Sequence, residues 1–250
     1  MPSAVDAIVL CGGAGLRLRS VSGNAPKSLT NIGGRPFLEL LLSQLHRHGF
    51  QRAVLAVGYR GDAIRAHFGD RALGLSLEYS TETTPLGTAG ALRNAMDLIH
   101  SGTALIMNGD SYTDADLSAF ADDYRAAKPD FSMVVVPADG RSDIGLVSID
   151  PGGKIAGFKE KQSSLATAQV NAGIYMTSKQ LLGEIPAGIP VSLEEQLFPR
   201  WLAEGKYLRA FRYAGECIDI GTPERYRSAQ ESLANAEVDG ARSRPEGDRR

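Results

Sequence analysis

Several features that mark specialised protein classes are scarce or missing in this sequence. The 250 residues include only two cysteines, Cys11 and Cys217, which excludes a disulfide framework, and we expect both thiols to be buried. No apolar run approaches the roughly 18 residues needed to cross a bilayer, so we expect no membrane partner. The formal net charge of −2 excludes the broadly basic surface of a general nucleic-acid-binding protein.

Targeting and metal signals are also lacking. The opening MPSAVDAIVLCGG has no basic segment and no cleavage site, so we expect no signal peptide and a cytoplasmic location. No His/Cys cluster has the spacing of metal ligands, and the four histidines lie on predicted helices or at their ends. We therefore assign no chemistry to His46, His48, His67 or His100.

The first half of the chain alternates short apolar strands with amphipathic helices. Such alternation favours an α/β fold with a largely parallel sheet. The predicted strands are 4–10, 53–57, 76–79 and 104–107, and the predicted helices are 36–48, 60–68, 88–99 and 115–127.

The pattern changes after residue 130, where strands become more frequent. Strands are predicted at 131–137, 144–149, 154–158, 170–176 and 207–213, and the Pro151-Gly152-Gly153 turn predicts a hairpin. Ser192 with Glu195 forms a capping-box pattern, and Thr222-Pro223 is typical of a helix start. We expect one domain over 1–236, made of parts 1–130 and 131–215, and a disordered tail over 237–250.

A strand that runs directly into Gly12-Gly13-Ala14-Gly15 can bring bare backbone N–H groups close to an anion. A Walker A loop would need Gly-Lys-Ser/Thr, which does not follow. A dinucleotide fingerprint would need a third glycine at Leu18 and an acid after the next strand. Arg17 and Lys27 instead supply two cations at different distances, which suits an elongated polyanion such as a nucleoside triphosphate.

The run 12–18 followed by Pro26-Lys27 resembles the signature of sugar-1-phosphate nucleotidyltransferases, commonly Gly-Gly-x-Gly-Thr-Arg-Leu and then Pro-Lys. Leu16 stands where threonine is usual, and Ser28 replaces the commoner proline or methionine. The resemblance implies that Arg17 holds the β- and γ-phosphates and that Lys27 bridges the reacting phosphates. It also implies a Rossmann-like three-layer sandwich with a mixed, mainly parallel sheet, of the nucleotide-diphospho-sugar transferase type.

Two aspartates follow predicted strands at separate points of the chain. Asp110 ends Asn108-Gly109-Asp110, and Asp219 precedes Gly221-Thr222-Pro223. Two carboxylates in one pocket suit Mg²⁺, which keeps several waters and bridges to phosphate oxygens. The resemblance supports Asp110 and Asp219 as the metal ligands and gives Asp110 a catalytic role.

The resemblance also predicts where the nucleotide binds. Gly87 and Gly90, in the loop 84–91, would allow close approach to a nucleobase ring. Glu82 would accept hydrogen bonds from guanine N1–H and N2–H, which favours GTP, because uracil offers only N3–H. The predicted nucleotide contacts are Leu10, Gly12, Gly13, Ala14, Gly15, Glu82, Gly87, Thr88 and Asn108.

The sugar end is predicted from later motifs that are similar to the family's. Gly145, the pair Glu160 and Lys161, and Asn171 with Gly173 would bind the sugar of the sugar 1-phosphate. Glu160 would bind sugar hydroxyls and Lys161 would reach the phosphate, although Gln162 replaces the usual proline.

The resemblance implies in-line nucleotidyl transfer from a nucleoside triphosphate to a sugar 1-phosphate, with release of pyrophosphate. The pattern is most similar to guanylyltransferases acting on D-glycero-D-manno-heptose 1-phosphate. Mannose-1-phosphate guanylyltransferases and N-acetylmuramate-1-phosphate uridylyltransferases are alternatives. A glycosyltransferase using Asp114-Ala115-Asp116 and a non-catalytic nucleotide-sugar binding module are alternatives from other classes. A homodimer remains open, since Trp201 is predicted to lie in the core or in a subunit contact.

Overall fold

A computed structural model of the chain describes residues 5–13, 15–138, 144–162 and 169–242. Its strands are β1 Asp6–Leu10, β2 Asn31–Ile32, β3 Arg35–Pro36, β4 Arg52–Val57, β5 Arg71–Ala72, β6 Leu75–Thr81, β7 Thr103–Asn108, β8 Ser111–Tyr112, β9 Phe131–Pro137, β10 Ile144–Ile149, β11 Ile155–Gln162, β12 Gln169–Ser178, β13 Leu208–Arg212 and β14 Ile218–Asp219. Its helices are α1 Arg19–Ser22, α2 Phe37–Arg47, α3 Gly61–Phe68, α4 Gly87–Ala95, α5 Leu117–Ala127, α6 Lys179–Gly183, α7 Phe198–Ala203 and α8 Pro223–Arg242.

A ten-stranded mixed sheet forms the centre of the fold. Strand β1 pairs in parallel with β4 and β7, and β4 pairs in parallel with β6, which confirms the predicted parallel half. The second half adds antiparallel strands, since β12 runs against β7, β9 and β10. The predicted hairpin is the antiparallel pair β10 and β11.

Apolar side chains cover both faces of the sheet, as a three-layer sandwich requires. Along β1, Ala7 and Val9 face one core, which includes Phe37 of α2 and Phe120 of α5. Ile8 faces the other core, which is built from α4, α6 and α7. Because successive strand residues point to opposite faces, one apolar run serves both layers.

Trp201 belongs to the second core and is 2% exposed. Its ring lies 5.3 Å from that of Phe131 and 6.2 Å from that of Phe198. Of the two readings predicted for Trp201, the structure supports the core. No helix within the described ranges is long and apolar enough to cross a bilayer.

Several local predictions need correction. The last helix continues to Arg242, six residues into the segment predicted to be disordered. Helix α5 begins at Leu117, two residues later than predicted, because Asp116 Oδ1 caps it by accepting hydrogen bonds from Ser118 N and Ala119 N. Cys11 is buried as predicted, whereas Cys217 is half-buried.

Gly109 allows β7 to turn against the end of β1. Its N–H donates to the Leu10 carbonyl at 3.0 Å, and a β-carbon on residue 109 would overlap the same oxygen. We expect Gly109→Ala to lower the free energy of unfolding by about 1–3 kcal/mol, the usual cost of overpacking. Chemical denaturation measures this change.

Gly102→Ala is the matched control, since a β-carbon there would have no heavy atom within 4 Å. We expect its free energy of unfolding to stay within about 0.5 kcal/mol of the parent. Equal losses in both variants would show that close packing at Gly109 is not the cause.

Candidate functional site

Three parallel strands end together and build the floor of a cleft. Leu10 pairs with Asn108 on one side and with Ala56 on the other. Beyond β1, Cys11 N donates to the Ala56 carbonyl at 2.7 Å, which holds the first turn of the glycine loop. The carboxyl ends of parallel strands are where α/β sheets open to ligands.

Lys27 reaches this edge of the sheet and contacts Asp110. Lys27 Nζ lies 2.7 Å from Asp110 Oδ2, and the two side chains are 13% and 48% exposed. Gly15 has φ +58°, and a β-carbon there would come within 3.1 Å of Lys27 Cβ. The last glycine of the loop therefore permits both the turn and the approach of the lysine.

Asp219 lies next to Asp110 although it comes from the far end of the domain. Strand β14 pairs with β8 so that Asp219 is opposite Ser111, and Ile220 N donates to the Asp110 carbonyl at 3.0 Å. The backbone thus brings together the two residues predicted as metal ligands. Lys27 lies nearby as well, since its Nζ would lie 3.6 Å from a β-carbon placed on Gly221.

Arg17 lies in a short 3-10 turn, Leu16–Leu18, and its side chain is exposed. The turn is fixed by Leu18, which is fully buried and whose N–H donates to the Gly15 carbonyl at 2.9 Å. Arg17 therefore stands on the same loop as Gly15, but it is not among the residues that line the cavity described next. Ala14 lies outside the described residues.

The cleft encloses a cavity of about 630 Å³, large enough for a small ligand. Its lining combines the glycine loop, the ion pair and the predicted base-reading loop. The predicted site residues that line it are Leu10, Gly12, Gly13, Lys27, Glu82, Gly87, Thr88, Asn108 and Asp110.

Glu82 is held in a slot between two glycines. A β-carbon on Gly12 or on Gly58 would lie 2.7 Å from Glu82 Oε1. Glu82 Oε2 accepts a hydrogen bond from Leu86 N at 3.1 Å. Burial raises the pKa of Glu82, and the Leu86 hydrogen bond opposes part of that rise.

Gly87 and Gly90 make room for another part of the protein backbone. Gly87 has φ +69°, and a β-carbon there would lie 2.6 Å from the Val191 carbonyl oxygen; one on Gly90 would lie 2.9 Å from the Ile189 carbonyl oxygen. The glycines admit the backbone of residues 189–191, and Ala89 N donates to the Val191 carbonyl at 2.9 Å. The first turn of α4 is thus satisfied by protein, although Gly87 also lines the cavity.

Thr88 joins this packing through its hydroxyl. Thr88 Oγ1 donates to Glu194 Oε2 at 2.8 Å and accepts from Leu193 N at 2.8 Å. Ser192, the predicted cap, accepts from Glu195 N at 3.1 Å, and the turn it opens is a π-helix, Leu193–Leu197. Thr88 therefore ties the loop beside the cavity to this helix.

The predicted sugar end adjoins the nucleotide end at Gly173. Gly173 has φ +74°, and a β-carbon there would lie 2.8 Å from Asn108 Nδ2. Asn171 Oδ1 accepts from Gly173 N at 2.9 Å, and Asn171 Nδ2 donates to Tyr175 Oη at 2.7 Å. The Asn-x-Gly motif is a local turn in β12 that packs against the strand carrying Asn108.

Gly145 lies in a strand irregularity opposite Glu160 and Lys161. Ile144 pairs with Gln162 and Leu146 pairs with Lys159, so two residues of β11 face the single residue Gly145 of β10. Such a bulge re-aims side chains at a strand edge. The backbone thus gathers these three predicted sugar contacts at one point of the hairpin; the side chains of Glu160 and Lys161 lie outside the described part.

Arg225 is a site residue that the sequence analysis missed. Its Nη1 lies 2.7 Å from Asp219 Oδ2, while Asp219 Oδ1 accepts a hydrogen bond from Gly221 N. The available signal was its place in the first turn of α8, directly after Gly-Thr-Pro, where a side chain can reach back to the preceding strand.

The residues at this edge fit a hard divalent cation that is shared with a substrate. Within the described ranges no three His, Cys, Asp or Glu side chains form a complete metal site. Two neighbouring carboxylates, Asp110 and Asp219, are nonetheless the donor set that Mg²⁺ uses when waters and phosphate oxygens supply its remaining ligands.

The sheet and its cleft define an α/β protein of the nucleotide-diphospho-sugar transferase type. A family model described as "Nucleotidyl transferase" matches residues 6–236. The chain belongs to this nucleotidyl transferase family.

Two curated relatives illustrate its range. The chain is 37% identical over 225 residues to mannose-1-phosphate guanylyltransferase from Mycobacterium tuberculosis, covering 89% of this chain but 62% of that protein. It is 31% identical over 229 residues to D-glycero-alpha-D-manno-heptose 1-phosphate guanylyltransferase from Aneurinibacillus thermoaerophilus, covering 92% of this chain and 98% of that protein.

Solved structures give the same picture. HddC from Yersinia pseudotuberculosis, in complex with GMP-PN, superposes with a TM-score of 0.81 at 30% identity, covering 92% of this chain and 99% of that chain. A putative glucose-1-phosphate thymidylyltransferase from Bacillus anthracis has a TM-score of 0.80 at 20% identity, which supports the fold alone.

We expect Thr88→Val to lower the free energy of unfolding by about 1–3 kcal/mol, because Leu193 N would lose its acceptor in a partly buried position. Thr88→Ser keeps the hydroxyl and is the matched control. Thermal and chemical denaturation without ligand measure both variants. Unchanged stability in Thr88→Val would contradict a role for the hydroxyl in holding the loop.

Proposed function

We propose that this protein is a sugar-1-phosphate guanylyltransferase that joins GTP and a sugar 1-phosphate into a GDP-sugar and pyrophosphate. The preferred sugar in this proposal is D-glycero-α-D-manno-heptose 1-phosphate, and mannose 1-phosphate is the nearest alternative. The observation that carries the proposal is that Lys27 and Asp110 line one cavity together with the glycine loop, and that the β8–β14 pairing places Asp219 beside Asp110. The expected cytoplasmic location stays a prediction.

The cavity suits a reaction that needs charge stabilisation and not proton transfer. An oxygen of the sugar phosphate attacks the α-phosphorus, the bond to the β-phosphate oxygen breaks, and pyrophosphate leaves with the bonding electrons. Because the nucleophile is already an anion, no general base is required. The cavity lining in the described part of the chain contains no histidine, which agrees with this mechanism.

Each charged residue has a place in this mechanism. Lys27, fixed by its ion pair with Asp110, would contact the reacting phosphates. The exposed Arg17 would bind the β- and γ-phosphates. Bare N–H groups of the glycine loop would add further donors. Asp110 and Asp219 would hold Mg²⁺, which when bound neutralises phosphate charge.

Glu82 supports guanine as the base. Its carboxylate lines the cavity and is held by Gly12, Gly58 and Leu86 N, so it presents acceptors from a fixed position. Guanine offers two adjacent N–H donors to such a carboxylate. The solved relative bound to GMP-PN and the relatives named guanylyltransferases support the same choice.

The choice of sugar rests on the sequence motifs, which are most similar to those of the heptose enzymes. The chain is 31% and 32% identical to two heptose 1-phosphate guanylyltransferases and 37% identical to the mannose enzyme. The higher identity to the mannose enzyme is the reason that mannose 1-phosphate stays the nearest alternative.

The glycosyltransferase alternative loses its motif in the structure. Asp116 caps α5, and Asp114 pairs with Arg47 and accepts from Tyr112 Oη at 3.1 Å. Neither aspartate lines the cavity, and Ala115 between them is fully buried. Asp114-Ala115-Asp116 is therefore a helix start with a surface ion pair.

We expect Lys27→Ala and Asp110→Asn each to lower kcat by about 10²–10³-fold, because each removes a charge that stabilises the transition state. Steady-state pyrophosphate release measures kcat, and circular dichroism checks folding. Asp123→Asn, which breaks an ion pair with Arg209 on another face, is the control and should keep parental kcat. Turnover of the Lys27 or Asp110 variant within a few-fold of the parent would reject these roles.

A substrate matrix tests the proposed function directly. Four nucleoside triphosphates are combined with heptose, mannose, glucose and N-acetylmuramate 1-phosphates, and pyrophosphate release is measured. We expect GTP with the heptose to give the highest kcat/KM. Glu82→Gln should lower kcat/KM for GTP by about 10- to 100-fold and leave the poor activity with UTP nearly unchanged.

The matrix can also reject parts of the proposal separately. Best turnover with UTP would overturn the guanine assignment, and best turnover with mannose 1-phosphate would overturn the heptose assignment. An NTP consumed without pyrophosphate release, or no turnover with any pair, would reject nucleotidyl transfer.

A further inference from the structure

Both carboxylate oxygens of Asp219 already have partners. Asp219 Oδ1 accepts from Gly221 N, and Asp219 Oδ2 lies 2.7 Å from Arg225 Nη1. The Asp219 and Arg225 side chains are 22% and 18% exposed, so the pair is shielded from much of the solvent. A cation that binds Asp219 must therefore share or displace one of these partners.

Two positively charged side chains, Arg225 and Lys27, lie close to Gly221. A β-carbon on Gly221 would lie 3.5 Å from Arg225 Nη1 and 3.6 Å from Lys27 Nζ. With Asp110 paired to Lys27, two cations and two carboxylates form a cluster of zero formal charge. A divalent cation placed there beside an unmoved Arg225 would meet a repelling charge at close range.

Arg225 is the partner that can leave. Gly221 N belongs to the backbone of the β14–α8 turn and cannot move without rebuilding it. Helix α8 is itself fixed, because Tyr226 Oη donates to the Asn31 carbonyl at 2.8 Å and Gln230 Nε2 donates to the same carbonyl at 3.0 Å. The guanidinium, on a flexible stem, can rotate away while its backbone stays in place.

We propose that Arg225 is a positioning residue that occupies Asp219 Oδ2 in the metal-free protein and gives up this oxygen when a divalent cation binds. The inference rests on the proposed function, in which Asp219 is a metal ligand. Before the metal binds, Arg225 holds the Asp219 carboxylate in one orientation and compensates its negative charge. The same positive charge lowers the affinity of the empty site for the metal.

Mn²⁺ binding in the absence of substrates tests the inference without measuring activity. Electron paramagnetic resonance counts free Mn²⁺ during a titration of the parent, Arg225→Gln, Arg225→Lys and Asp219→Asn. We expect Arg225→Gln to bind Mn²⁺ about tenfold more tightly, because a repelling charge is removed. Arg225→Lys keeps the charge and should stay within about threefold of the parent.

Arg209→Gln is the matched control. Arg209 forms an ion pair with Asp123 at 2.7 Å, with both side chains 23% exposed, so it resembles Arg225 in pairing and burial but its partner is not a predicted metal ligand. Mn²⁺ affinity should be parental in this variant. A tenfold gain here as well would overturn the inference, since the effect would then follow from lost charge anywhere on the protein.

The outcomes separate the inference from the proposed function. If Asp219→Asn loses Mn²⁺ binding but Arg225→Gln binds no more tightly than the parent, the inference falls and the metal site stands. If Asp219→Asn binds Mn²⁺ like the parent, or the parent binds none, the inference falls, whereas the proposed function is decided by the pyrophosphate release in the substrate matrix.

A measurement on the parent covers the case in which Arg225→Gln fails to fold. The Arg225 Nε–Hε signal, identified by its loss in Arg225→Lys, is followed by NMR during a Mg²⁺ titration. A signal that moves as Mg²⁺ saturates supports displacement. A signal that stays unchanged at saturation overturns the inference.

Discussion

The charged site depends on a two-residue ladder between β8 and β14. This ladder, with the Ile220 N–H bound to the Asp110 carbonyl, sets Asp219 beside Asp110 although the two are far apart in the chain. Parallel strand ends alone would present one carboxylate and one lysine. The ladder adds the second carboxylate and, through the helix that follows, Arg225, so four charges share one edge of the sheet.

The parallel half and the core of the site could be predicted because their signals are local. Apolar runs such as the one ending at Leu10 mark buried strands, and the small residues after it mark a turn open to anions. Asp110 could be placed at the cleft since it follows a strand and a glycine. The resemblance joined Lys27 to Asp110, and their 2.7 Å ion pair confirms that the two side chains meet.

Features that depend on distant partners could not be predicted. Gly87 and Gly90 resemble the glycines of a ligand-binding loop, but they also make room for the backbone of residues 189–191. Nothing in the sequence near residue 90 signals that partner. Thr88 is engaged by Leu193 and Glu194 for the same reason. At the end of α8 the error has the opposite direction, because structure is present where the composition predicted disorder. Polar residues after 236 continue the helix to Arg242.

The change of strand direction at β12 divides the cleft between two structural units. The predicted phosphate and base contacts lie at the ends of β1, β6 and β7, and the parallel pairing of these strands with their neighbours fixes their register. The predicted sugar contacts stand on the antiparallel strands β10 to β12, which meet β7 at Gly173. A hairpin can lengthen, shorten or shift its bulge without disturbing the parallel strands. If the proposed function holds, acceptor preference can therefore diversify on the hairpin while the parallel strands around the cleft are inherited intact.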